Sequence, residues 1–266
     1  NERTRARSSR RHLTESWNKL ERKVFMNNID THAAVGALVV EQPARARVFE
    51  KFGIDYCCGG KRPLTDVCAE RRIDLDRVCS AIQESDKVAR WTEESDWTKA
   101  SLTDLTGHIM SQHHEYLREE LPRLAAMLDK GTAAHGQRHP EMPICRDIFW
   151  SFRAELEAHM HKEETILFPL VRALETERHV TPFHCGSIAN PIGVMEAEHD
   201  HAGDALSKMR ELTSGFRAPP DACTTFRVLL HGLERLESDM HQHVHKENNI
   251  LFPHAIRREA ELHAAR

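Results

Sequence analysis

His159-Met160-His161-Lys162-Glu163-Glu164-Thr165-Ile166-Leu167-Phe168-Pro169 is followed 84 residues later by nearly the same string, His243-Val244-His245-Lys246-Glu247-Asn248-Asn249-Ile250-Leu251-Phe252-Pro253. A weaker match at an offset of 85 pairs His114 with His199, Leu121 with Leu206 and Leu124 with Met209. Residues 101–262 carry four long helical patterns. Glycines and prolines mark the loops between them, near 130–143, 176–191 and 214–221. Strand signals are almost absent. The chain therefore reads as all-α, and this part of it as a duplicated helix pair forming an up-down four-helix bundle.

Helical phase separates inward from outward histidines. With His159 as zero, Glu163 falls at about 40°, Ile166 at about −20°, Leu170 at about 20° and Leu156 at about 60°, all on the apolar face. His161 points outward. The fourth helix repeats the pattern, with His243, Glu247 and Ile250 inward and His245 and His241 outward. His254, the mate of Leu170, is expected inward as bundle-end packing. On the third helix His199 shares its face with Ile192 and Leu206. On the first, His113 and His114 both lie near the edge of the apolar stripe. The repeat selects His114 as the mate of His199, whereas His113 aligns with Glu198.

The inward polar set is thus His114, His159, Glu163, His199, His243 and Glu247. A buried carboxylate is costly unless it is paired or bound to a cation. Two of them, each one turn from an inward histidine, point to metal. Imidazole with carboxylate suits iron, manganese or zinc. Two His-x-x-x-Glu units suggest two metals, each with two imidazoles, sharing two bridging carboxylates. An oxo or hydroxo bridge would complete the pair, with an open position left on each metal. The ferritin-like pattern of two Glu-x-x-His motifs does not fit, because Glu196-Ala197-Glu198-His199 has Ser111 as its mate.

The rest of the chain narrows the class. It has 266 residues, 19 histidines but 2 tyrosines, and a formal net charge of −4, which excludes a nucleic-acid binder by bulk electrostatics. No apolar run is long enough for a membrane span, and mean hydropathy is −0.57. Seven cysteines without an export signal favour a reducing compartment. Residues 1–28 read as a disordered basic tail, 29–86 as a small helical domain, and 87–100 as a linker. In the small domain Ala34, Ala37, Leu38 and Val48, Phe49, Phe52 form two amphipathic runs broken near Pro43. They precede Asp55-Tyr56-Cys57-Cys58-Gly59-Gly60-Lys61. Adjacent cysteines can close only a strained, easily reduced disulfide, or offer thiolates to iron. Cys57 and Cys58 are therefore candidates for redox or iron transfer. Cys68, Cys79, Cys145, Cys185 and Cys223 read as inert small hydrophobes or free thiols.

At these residues the chain resembles the hemerythrin-like superfamily, and within it the iron–sulfur cluster repair di-iron (RIC) family. The histidine–glutamate array, with Lys-Glu-Glu-x-Ile-Leu-Phe-Pro and Glu-His-Asp-x-Ala-Gly, carries one half of the likeness. The Cys-Cys-Gly-Gly string carries the other. The resemblance spans about residues 30–258. It implies two non-haem irons per chain, a cytoplasmic homodimer, and a role in nitrosative or oxidative stress with damaged iron–sulfur proteins as clients. Oxygen-carrying hemerythrins place a further histidine four residues after the third-helix histidine. Here that residue is Gly203, which implies a more open and more labile centre. Three functions follow as expectations. One is repair by supplying or mobilising iron. Another is reduction of nitric oxide or peroxide. The last is a binding or sensing module for oxygen or nitric oxide.

Overall fold

A computed structural model describes residues 29–89, 97–176 and 186–264. The expected basic tail, Cys185 and the centre of the expected linker lie outside the described residues. Four short helices come first: α1 (Val35–Glu41), α2 (Arg45–Phe52), α3 (Leu64–Arg71) and α4 (Leu75–Ala89). Their core is Val35, Leu38, Val39, Phe49, Tyr56, Leu64 and Ile82. Ala37, expected on the inner face, is exposed. The face turns instead through Val35, Leu38 and Val39. Gly53 ends α2 at φ 66, a left-handed conformation that glycine adopts without cost. Buried Arg45 ties α2 to α4 through two bonds to Asp86, at 2.9 and 2.7 Å. The expected linker is taken up at both ends. α4 runs on to Ala89, and Trp97–Lys99 forms a 3-10 turn whose Trp97 ring stacks on His108.

The bundle follows. Helix α5 is Leu102–Ile109, a π-turn Met110–His114, then Glu115–His135. Helix α6 is Glu141–Lys162, a π-turn Glu163–Leu167, then Phe168–Thr176. Helix α7 is Ala189–Leu212. Helix α8 is Thr224–Lys246, a π-turn Glu247–Leu251, then Phe252–Ala264. The duplication reaches the caps. Glu175 accepts the free N–H groups of Leu102 and Thr103 at the start of α5 (2.7 and 3.0 Å). Its mate Glu259 accepts that of Ile188, before α7, at 2.9 Å. Both satisfy helix-start donors that have no partner within their own helix.

The π-turns correct the helical wheel. Each holds one residue more than an α-turn, so every later residue moves back by one place on the face. Ile166, expected inward, is 55% exposed, and Leu167 takes its place. Leu170 and Ile250 are half-buried, with Val171 and Leu251 behind them in the core. His254 is half-buried too, and Ala255 takes the inward position. Pro169 and Pro253 give a local reason for two of these turns. Proline lacks an N–H and its ring pushes away the carbonyl four residues back, and a π-turn directly precedes each. The third has no proline within the next turn; Pro122 comes eight residues after it.

Two apolar plugs fill the bundle. One holds Leu117, Leu121, Leu124, Phe149, Phe152 and Leu156. The other holds Leu105, Ile109, Phe168, Ile192, Leu251 and Phe252. The polar layer lies between them. Among the described residues no helix is long and apolar enough to cross a membrane.

Candidate metal centre

Each of the four bundle helices sends one histidine into that layer, and α6 and α8 each add a glutamate. Three of these six residues sit in π-turns: His114, Glu163 and Glu247. The six fall into two groups whose ligand atoms lie within 4.8 Å of one another. One is His114, His243, Glu163 and Glu247. The other is His159, His199, Glu163 and Glu247. The two glutamates belong to both groups, the arrangement expected of shared carboxylates. All six side chains are buried, and both glutamates have no exposure at all.

Several of the atoms converge without satisfying one another, although His243 Nε2 bonds Glu247 Oε1 at 3.0 Å. Glu163 Oε2 lies 3.3 Å from His114 Nε2 and 3.4 Å from His159 Nε2. Neither contact is aligned as a hydrogen bond, and both Glu163 oxygens and His114 Nε2 have no hydrogen-bond partner. Glu247 Oε2 is 3.1 Å from His199 Nε2 and is likewise unbonded. The Nε2 atoms of His159 and His199 face each other at 3.1 Å. Buried polar atoms are nearly always bonded. Atoms that point past one another at a common place are what a cation would satisfy, so the donor set fits two metals.

The outer partners fix the tautomers. A carboxylate only accepts, so His159 Nδ1 donates to Glu198 (2.8 Å) and His114 Nδ1 donates to Glu164 (2.7 Å). His199 Nδ1 donates to the Asn248 amide oxygen at 2.9 Å. Those three rings keep Nε2 for the layer. Sequence reasoning missed these partners. The repeat held the signal, because Glu164 and Asn248 each follow a core glutamate and Glu198 precedes His199.

Charge balance points the same way. Burial and the neighbouring Glu247 push Glu163 up, but His159 and His114 outweigh them, and its carboxyl falls below the usual range. Burial pushes Glu247 up as well, but His243 and His199 hold it well below that range. Burial alone would pull His159 down, yet the charge of Glu163 holds it up at about 9. His114 is raised on the same terms. Two carboxylates stay ionised in an apolar bundle, and the imidazolium protons occupy the place a cation would take.

The outward histidines divide. His161 is exposed, as expected. His245 is buried, because the small domain covers it. Its ring meets Tyr56 edge-on at 5.4 Å, and burial pushes it down to about 4. His113 is also buried, 5.2 Å from His243 and parallel to it.

The cysteine turn docks on the bundle beside the site. Asp55 accepts the N–H groups of Cys57, Cys58 and Gly59 at 2.9, 3.1 and 2.8 Å, and the Cys57 thiol at 3.2 Å. Cys58 Sγ lies 3.9 Å from Cys57 Sγ, so both thiols are free. The Cys58 neighbour and burial push the Cys57 thiol well up. The Cys58 thiol donates to the His199 carbonyl at 3.4 Å. A Cβ on Gly203 would stand 3.6 Å from that sulfur, so the cysteine turn occupies the space beside the glycine. Asn249 Nδ2 donates to the Tyr56 carbonyl at 3.4 Å and Lys61 pairs with Glu196 at 2.8 Å, completing the joint.

Comparison with known proteins agrees with this anatomy. Residues 105–255 match the hemerythrin HHE cation binding domain, and residues 31–86 match a domain of unknown function, DUF542. The chain is 36% identical to the iron-sulfur cluster repair protein YtfE of Escherichia coli O81 (strain ED1a) over 224 residues. That covers 84% of this chain and 96% of the relative. The proteins of the same name from Escherichia coli O1:K1 / APEC and Escherichia fergusonii are each 35% identical over the same shares.

Proposed function

Since the chain belongs to the hemerythrin-domain family of iron–sulfur cluster repair proteins, we propose that it restores clusters in damaged iron–sulfur proteins by giving up iron from a labile two-iron centre. His114 and His243 would hold one iron, His159 and His199 the other, with Glu163 and Glu247 shared. Bound there, two ferrous ions supply mobile iron, two electrons and positions open to a small molecule. Gly203 carries the reading. Where a fifth imidazole would close the site, this chain has a glycine, and the thiol of Cys58 lies next to it. Cys57 holds its proton for Asp55 and so braces the turn. Cys58 is the thiol placed to meet outgoing iron. Cytoplasmic location, a homodimer and a response to nitrosative or oxidative stress belong to the same proposal. The test loads the full chain with ⁵⁷Fe and adds an apo-ferredoxin with sulfide. Labelled iron in a rebuilt cluster is expected, faster than from free ferrous ion under a competing chelator. Transfer no faster than that would sink the reading.

One observation favours a second activity at the same centre. A cavity of about 240 Å³ lined by Phe152, Leu156, Ala202 and Lys162 reaches His159 and His199. It is wide enough for a diatomic molecule. Two nitric oxides, two protons and two electrons give nitrous oxide and water. Nitrous oxide formed by the reduced, loaded protein at one per two irons oxidised would establish this activity. Nitric oxide binding without it leaves only a binding module.

A further inference from the structure

The repeat makes the two metal positions look alike, but their surroundings are not. We infer that the His114/His243 position holds its iron more weakly than the His159/His199 position and is the one that releases it. The Nδ1 atoms of His159, His114 and His199 donate to Glu198, Glu164 and Asn248. His243 Nδ1 is buried and has no partner.

The cause is one substitution between the repeats. The residue matching Glu198 is His113. Both of its ring nitrogens are already engaged. Nδ1 donates to Asp239 at 2.9 Å, and Nε2 accepts from Lys246 at 2.8 Å. It therefore presents a ring face to His243, at an interplanar angle of 3°, instead of an acceptor. The lysines follow the same break. Lys162 bonds to the Glu198 carboxylate, but its mate Lys246 bonds only to an imidazole. The His159/His199 position thus has a carboxylate that orients one ring and offsets a lysine charge. Its second ring, His199, has Asn248, whereas the His114/His243 position has an acceptor, Glu164, for His114 alone and no carboxylate for Lys246. A ring whose outer N–H has an acceptor is oriented and made more basic toward the metal, and loss of such a partner lowers metal affinity about 10–100-fold.

The inference rests on the repair reading only in naming this iron as the one passed on. The test reads metal alone. The anaerobic, fully loaded full chain is mixed with excess ferrous chelator and release is followed by absorbance. Two phases of one iron each are expected, with rates about 10–100-fold apart. His113→Glu gives His243 Nδ1 and Lys246 the partner that the other repeat has, and it should merge both phases at the slow rate. Glu198→Ala should merge them at the fast rate. Single-phase release from the unaltered chain would overturn the inference. So would an unchanged fast phase in His113→Glu, or a Glu198→Ala variant that speeds only the fast iron. Two-phase release with no transfer to an apo-cluster protein would leave the inequality standing and remove the repair reading.

Discussion

Removing the metal should reverse the sign of the pH dependence of stability. In the metal-free core Glu163 and Glu247 hold His159 protonated up to about 9, against 6.5 for an ordinary histidine. A base raised by folding stabilises the fold fully below its unfolded value and loses that contribution as pH rises through its folded value. For His159 the linkage is worth about 3 kcal/mol at pH 6.5 and about half that at pH 8. His114 is raised too and acts in the same direction. His159 alone should thus cost the metal-free protein about 1.5 kcal/mol between those two pH values, and the net loss is on the order of 1 kcal/mol once the opposing groups are counted. For a chain of this size that is a fall of roughly 2–4 °C in Tm. The loaded protein should do the opposite, because iron binds only the unprotonated rings and competes better as protons become scarce. The window matters. His108 and His245, both near 4, and His113, also lowered by burial, work the other way, because their unfolded forms still bind protons at pH 6.5, and they give back part of the loss early in the window; Lys246, held near 8 by burial, opposes it mainly above the window. The assay is anaerobic thermal unfolding of chelated and ferrous-loaded protein at pH 6.5 and 8.0. A chelated protein whose Tm is flat or rises over that range would refute the charge balance described for the core.

Three further outcomes follow from the same geometry. Glu163→Leu or Glu247→Leu removes a carboxylate shared by both positions, and should leave at most one iron per chain and no antiferromagnetic coupling by Mössbauer spectroscopy. A coupled pair at full iron content in both variants would remove the bridging role. His161→Ala should keep both irons, because that side chain is exposed. His245→Ala should keep them too while loosening the joint to Tyr56, seen as faster hydrogen exchange over residues 54–60; equal iron loss in both would contradict the structure. Gly60→Ala should cost well over 1 kcal/mol and weaken docking, because the new Cβ would meet the Tyr56 carbonyl oxygen at 2.5 Å and Asn249 Oδ1 at 3.0 Å. Unchanged urea unfolding in that variant would show that the turn can shift.

The all-α bundle, its duplication and the six core residues were legible in the chain because two strings repeat at fixed spacing and the helical period assigns faces up to each core glutamate. The cysteine turn was legible as a motif for the same local reason. The wheel failed beyond Glu163 and Glu247, where Ile166 and His254 were placed inward. A π-turn inserts a residue without leaving a hydrophobic signature, so the phase moves and the sequence does not announce it. Other features depended on contacts between segments far apart in the chain. His245 is outward on its own helix and buried only because Tyr56, nearly 190 residues earlier, lies on it. The pairing of His114 with His243 and of His159 with His199 is set by which helices adjoin across the bundle, which no single helix's periodicity contains. The unpartnered Nδ1 of His243 is likewise a tertiary fact. The sequence shows His113 where the other repeat has Glu198, but only the packed bundle shows that both nitrogens of His113 are already taken.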